Sequence, residues 1–178
     1  MSAATHPRQA WAHVDGKVRM LELHKRSVIN DPMTWLQVQD AFGRFGMAHD
    51  EGCFDVLDSL FTDDAVLEVA DGHGKPFSRV EGRPNLIRTF RTVFSQQTDQ
   101  RRHCMTNVLI EELTASTCKA LAYGVVTCAA DGLFLGATVI YSGELRRGDD
   151  GHWRFNYFFI GMDTYAGKKP DTSRAPTK

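Results

Sequence analysis

The sequence lacks most of the features that assign a chain to a functional class at sight. No apolar run approaches the roughly 18 residues of a membrane-spanning helix, and the N-terminus has no apolar segment of the kind a secretory signal carries. Both absences point to a cytoplasmic protein without membrane contact. Neither sign of charge prevails: 21 basic residues face 22 acidic ones, for a net charge of -1. With no basic field, nucleic acid is not an expected partner, and the pairs Lys25-Arg26, Arg101-Arg102 and Arg146-Arg147 read as solvated edges. Cysteine is sparse and scattered. Cys53, Cys104, Cys118 and Cys128 form no C-x-x-C pair, which argues for reduced thiols and against a disulfide frame or structural zinc. There is no internal repeat, no glycine-rich phosphate loop and no Gly-x-Ser-x-Gly elbow. The glycines of Asp71-Gly72-His73-Gly74-Lys75-Pro76 read as a turn.

What remains suits one domain with tails. Residues 1–31 form a polar N-terminal extension with a short helix around Val18–Arg26. Residues 32–165 form the domain, and 166–178 a flexible C-terminal tail. Asn30-Asp31-Pro32 is a helix start, a capping side chain followed by proline in the first turn. Beyond it Trp35, Val38, Phe42, Phe45 and His49 form one stripe at helical spacing, with Asp50 at its border. A second helix carries Phe54, Leu57, Leu60 and Phe61. A turn at Thr62-Asp63-Asp64 precedes a strand over residues 65–69, and Gly82-Arg83-Pro84 opens a third helix with Leu86, Ile87, Phe90, Val93 and Phe94.

Residues 103–112, 117–129, 133–146 and 152–163 then read as four strands, with hairpin turns at Asp131-Gly132 and Gly148–Gly151. This order gives an α+β fold, a cone-shaped barrel of curved mixed or antiparallel sheet wrapped on three N-terminal helices. Neither face of the later strands is clearly polar, so both are expected to be covered. The helices cover one. The chain has no helix left for the other, and a homodimer through that face is expected.

Three stretches carry a resemblance to a known group. They are Val38-Gln39-Asp40 through Ala48-His49-Asp50-Glu51-Gly52 to Leu60-Phe61-Thr62-Asp63-Asp64-Ala65, then Gly82-Arg83-Pro84, then Arg102-His103-Cys104-Met105-Thr106-Asn107 with Gly151-His152-Trp153-Arg154-Phe155. In this order they resemble the SnoaL-like group of the nuclear transport factor 2-like superfamily, over roughly residues 32–165. That group includes dehydratases, a dehydrochlorinase, polyketide cyclases and members that only bind ligands. In the dehydratases and the dehydrochlorinase an Asp ending the first helix orients a His at the start of the next long strand. Asp50 and His103 match those positions, so the resemblance implies an Asp-His dyad. Phe45 and Phe158 stand where the dehydrochlorinase has a Lys and an Arg, which argues against loss of chloride. Val125, Val126 and Thr127 occupy the region of scytalone dehydratase's second catalytic His.

An imidazole held by a carboxylate has one nitrogen protonated and the other free as a base. His103 and Asp50 are therefore the expected catalytic residues of a cofactor-independent acid/base enzyme, a dehydratase or other lyase, or an isomerase or cyclase. Its substrate would be a small apolar carbonyl or hydroxyl compound such as a polyketide, steroid or other polycycle. Tyr123, Tyr141, Tyr157, Trp35 and Asn107 are candidate donors to a developing oxyanion. Asn107 shares a strand face with His103 by period-two alternation, and is otherwise an ordinary strand amide. Phe54 and its neighbouring phenylalanines are core, and a pocket lined by them suits a ring. His49 is either a pocket residue or a satisfied core histidine. His49, Asp50 and His103 lack a convincing third-ligand spacing, so no metal is expected. The rival readings are a non-catalytic small-molecule-binding module and a structural partner subunit like the small subunits of ring-hydroxylating dioxygenases, which share the fold.

Overall fold

A computed structural model describes Trp11 and residues 17–71 and 75–165. The C-terminal tail, most of residues 1–16 and the middle of the Asp71–Pro76 turn lie outside the described residues. Three α-helices, α1 (Pro32–Asp50), α2 (Phe54–Ser59) and α3 (Arg83–Ser95), accompany seven strands: β1 (Ser27–Val28), β2 (Phe61–Asp71), β3 (Ser78–Glu81), β4 (Gln100–Leu113), β5 (Thr117–Ala129), β6 (Leu133–Arg147) and β7 (Trp153–Tyr165). They form one mixed sheet in the order β1-β4-β5-β6-β7-β2-β3. β1 runs parallel to β4 and β2 parallel to β7, while the other neighbours are antiparallel. The sheet curls as an open cone over α1 and α3.

The first helix is built as its sequence signals dictate. Asp31 caps it, accepting from the N–H groups of Met33 and Thr34 at 3.1 and 3.3 Å, and Pro32 begins it. At the far end Gly52 takes φ +64°. The Cys53 N–H donates to the Ala48 carbonyl at 2.8 Å, and the Gly52 N–H donates to the His49 carbonyl. This pair of bonds, with a left-handed glycine, stops a helix abruptly, here directly after Asp50. The inward stripe packs into an aromatic core. Phe45 lies 4.7 Å from Phe158 between ring centroids, Phe42 lies 5.1 Å from Phe155, and Tyr141 stacks on Phe158 at 5.6 Å. The two phenylalanines expected in place of an ion-bearing pair thus form an apolar contact.

Several expectations need correction. The proposed helix around Val18–Arg26 is only a 3-10 turn at Leu23–Lys25. Thr62-Asp63-Asp64 is no loop but an irregular stretch inside β2, where the pairing with β7 shifts between Phe61 and Val66. Phe61 accordingly belongs to a strand, not to α2. The short strands β1 and β3 were not anticipated. Arg26 is no solvated edge either: its guanidinium donates to the Ile110 carbonyl and lies 5.9 Å from the Trp35 ring.

The outer sheet face is partly covered from within the chain, contrary to expectation. Trp11 and Val18 pack on Ala70, Leu121, Ile140 and Phe159, and the Trp11 indole donates to Asp163 at 2.7 Å. Glu68, buried on the same face, accepts from Tyr157 and Lys17 at 2.6 and 2.7 Å and from Arg79 at 2.7 Å. Burial opposes its ionisation, but these donors outweigh it and hold its carboxyl at about 2. The rest of this face is an open groove of about 720 Å³, with Tyr123, Leu109 and Val125 exposed along it.

Candidate functional site

The site begins with a missing side chain. A β-carbon on Gly46 would sit 3.0 Å from the His103 carbonyl oxygen and 3.2 Å from the His103 Cβ, tight enough that β4 would have to give by a few tenths of an ångström. Glycine therefore lets α1 lie directly against β4. One turn later, α1 ends at Asp50, level with the His103 backbone. One Asp50 oxygen accepts the His103 backbone N–H at 2.6 Å, and the other lies 2.5 Å from His103 Nδ1. An ionised carboxylate can only accept, so Nδ1 carries the hydrogen and Nε2 is left as the basic nitrogen. Gln100 donates to the Asp50 carbonyl at 3.3 Å, and Arg102 pairs with Glu51 at 2.7 Å. The end of α1 is thus tied to β4 by residues on both sides of the pair.

The His103 ring lines a cavity of about 120 Å³ between the helices and the inner sheet face. Phe45, Phe90, Leu67, Val139, Ile160 and Met162 make its wall largely apolar. Tyr141 and His49 are among the polar residues that join His103 there. Tyr141 is buried, and its ring lies over Gly124, where an added Cβ would be 2.5 Å from it. Burial, and then the charge of Asp50, push the Tyr141 phenol well above its usual range, so it stays neutral. His49 stands edge-on to His103 at 5.0 Å between centroids. Burial, reinforced by His103, lowers its pKa from 6.5 to about 3, so His49 is a neutral imidazole. His49, Asp50 and His103 each offer one ligand atom within 4.8 Å of the others.

Of the nine residues singled out from sequence, Asp50, His103, His49 and Tyr141 come together. The other five lie elsewhere. Trp35 is half-buried beside Arg26, and Phe54 packs on Phe94 and beneath Arg91. Tyr157 faces outward to Glu68, and Tyr123 lines the outer groove. Asn107 also lines that groove, because alternation along β4 breaks there. The pairing with β5 shifts between Thr106 and Leu109, and Asn107 takes φ 51°. Such a bulge inserts one residue and reverses the phase, so Met105 faces the core before it and Val108 and Ile110 after it.

Sequence reasoning also missed Arg101. Its side chain is only 12% exposed, pairs with Asp99 at 2.9 Å and lines the cavity. Its period-two spacing from His103 was the available signal.

The fold recurs among solved structures. A Catenulispora acidiphila protein in complex with S-DNPA is 28% identical, covering 75% of this chain and 96% of its own, with a TM-score of 0.64. The β subunit of a putative aromatic-ring-hydroxylating dioxygenase from Novosphingobium aromaticivorans is 18% identical, covering 75% of this chain and 93% of its own, with a TM-score of 0.65. ActVI-ORFA from Streptomyces coelicolor is 17% identical, covering 73% and 97%, with a TM-score of 0.63. The last two likenesses carry the fold alone. No curated protein matches the sequence, and no described helix is long and apolar enough to cross a membrane. The model of the SnoaL-like domain matches residues 35–158, so the chain belongs to the SnoaL-like domain family.

Proposed function

We propose that the protein is a cofactor-independent acid/base enzyme in which His103, held by Asp50, moves a proton on a small apolar carbonyl or hydroxyl compound. The observation that carries this reading is the double contact of Asp50 with the His103 ring and backbone. It fixes both the tautomer and the direction of the imidazole beside an apolar hollow. His103 Nε2 takes a proton from the carbon next to a carbonyl, leaving an enolate. Tyr141, neutral and without a hydrogen bond to a described residue, donates to the enolate oxygen. The imidazolium then returns its proton to a β-hydroxyl, which departs as water, or to another carbon, which gives isomerisation. The enclosed volume suits one ring, so a larger polycycle would keep its other rings toward the mouth. The small molecule held by the Catenulispora relative is in keeping with a ligand-bearing hollow.

Solvent-deuterium exchange tests the reading without knowledge of the natural substrate. Wild-type protein should exchange the α-hydrogens of cyclohexanone in D₂O well above background, read by NMR. His103→Ala and Asp50→Asn should not. Equal exchange in all three would remove the mechanism.

A second reading is a structural partner subunit, after the dioxygenase β subunit that shares the fold. Co-purification with a larger metal-bearing chain, and no exchange in the wild type, would support it. In either case we propose that a second copy covers the outer groove. Sedimentation of a monomer at micromolar concentration would exclude this homodimer.

A further inference from the structure

We propose that His49 is a second oxygen-binding residue of the cavity, so that the substrate is a β-hydroxy ketone or a similar ring with two oxygens, not a simple ketone. The inference rests on the acid/base reading above and deepens it.

His49 is 8% exposed, and its Nδ1 is fully enclosed. Neither ring nitrogen hydrogen-bonds a described residue. A neutral imidazole has one N–H to give and one lone pair to receive. Leaving such a group buried and unmatched is unfavourable, and a histidine kept only for packing would find a partner or be replaced by an aromatic ring. Its ring is held in place edge-on between Phe90 at 5.8 Å and His103 at 5.0 Å, inside the cavity wall. Nδ1 is sealed from the hollow as well, so Nε2 is the nitrogen that can meet a polar atom of whatever fills it. Tyr141 is a second such group in the same wall. Two neutral hydrogen-bonding residues beside one base match a substrate with two oxygens, one turning into an enolate and one leaving. Since His49 stays uncharged, it binds a hydroxyl without becoming a competing acid.

In the reaction His103 removes the C2 proton of a 3-hydroxy ketone and the C2=C3 double bond forms. The C3–O bond breaks with its electrons going to oxygen. The departing hydroxide, bound by the His49 N–H, takes the proton from His103 as water.

Two probes separate this claim from the base reading. Cyclohexanone carries one oxygen, and its α-exchange needs only His103 and a donor to the enolate. 3-Hydroxycyclohexanone carries two, and its dehydration to cyclohexenone is followed by ultraviolet absorbance. His49→Phe should lower dehydration about 10²-fold, lower cyclohexanone exchange far less than dehydration, and melt no lower than wild type. His49→Gln, which restores a donor, should recover part of the dehydration rate. Unchanged dehydration in His49→Phe, or an equal loss on both probes, would overturn the role of His49 while leaving the base intact. Loss of dehydration on adding a chelator would overturn it in favour of a bound cation. A wild type inert to both probes, or His103→Ala active on both, would instead be the failure of the base reading.

Discussion

The two faces of the sheet carry hollows of opposite character. The inner one holds only about 120 Å³, but gathers a carboxylate-bound imidazole, a second imidazole, a phenol and the Arg101 guanidinium. The outer one spans about 720 Å³, with Tyr123, Asn107 and Leu109 along it and the Trp11–Asp163 bond at its side. Size is therefore a poor guide to chemistry in this molecule. What distinguishes the small hollow is that its polar groups are buried and point at one another across apolar walls, where electrostatic interactions are strong.

The sharpest way to break this contrast is to disarm the inner face. His103→Ala and Asp50→Asn should each lower cyclohexanone exchange by about 10²–10⁴-fold, with melting temperature and circular dichroism showing an intact fold. The matching change on the outer face is Trp11→Ala. Loss of a buried tryptophan should cost about 3 kcal/mol in urea unfolding, yet leave exchange per folded molecule unchanged. An activity loss there would show that the faces are not independent.

Next comes Gly46→Ala. Its new methyl group meets the backbone of His103, so it should cost about 1–3 kcal/mol and reduce exchange along with stability. A fully active Gly46→Ala would show that the close approach of α1 does not set the Asp50–His103 contact.

The acid side of the pH profile sharpens the comparison further. His49 has a folded pKa of about 3 against an ordinary 6.5, so between these values the unfolded chain binds the extra proton. Its contribution is complete above pH 6.5 and is lost as pH falls below that. By pH 5 the loss is about 2 kcal/mol. His49→Phe should lack this component, which thermal melts at pH 7 and pH 5 will show. The smallest effect should come from Asn107→Gly. Glycine accepts the left-handed backbone at least as well, so stability should stay within about 1 kcal/mol and exchange should not move.

The sequence was most legible where local chemistry decides the structure. Asp31 before Pro32 caps α1, Asp131-Gly132 joins β5 to β6, and the hydrophobic stripe of α1 faces the core because nothing competes with those preferences. It was least legible where long-range contact decides. β1 and β3 are too short to carry a period and exist through pairing with β4 and β2. The bulge at Asn107 turns on one residue's tolerance of positive φ, which sent Asn107 to the wrong face of the prediction. Arg101 and Arg102 look alike in sequence, yet alternation sends one inward to Asp99 and the other outward to Glu51. Of Tyr123, Tyr141 and Tyr157, only Tyr141 lies on a register that meets the helices, which could not be read without knowing how β6 lies beside its neighbours.

The turn after α1 has a mechanical consequence. A β-carbon on Gly52 would press on the Phe94 ring at 2.9 Å, so the helix stop is seated against α3. The preceding turn of α3 supplies Phe90 and Val93 to the hollow. A guest wide enough to push α3 aside would unseat Phe94 from Gly52 and loosen the anchorage of the acid two residues away. On the proposed mechanism, oversized molecules would then be turned over slowly even when they bind well, because making room for them slackens the hold of Asp50 on His103.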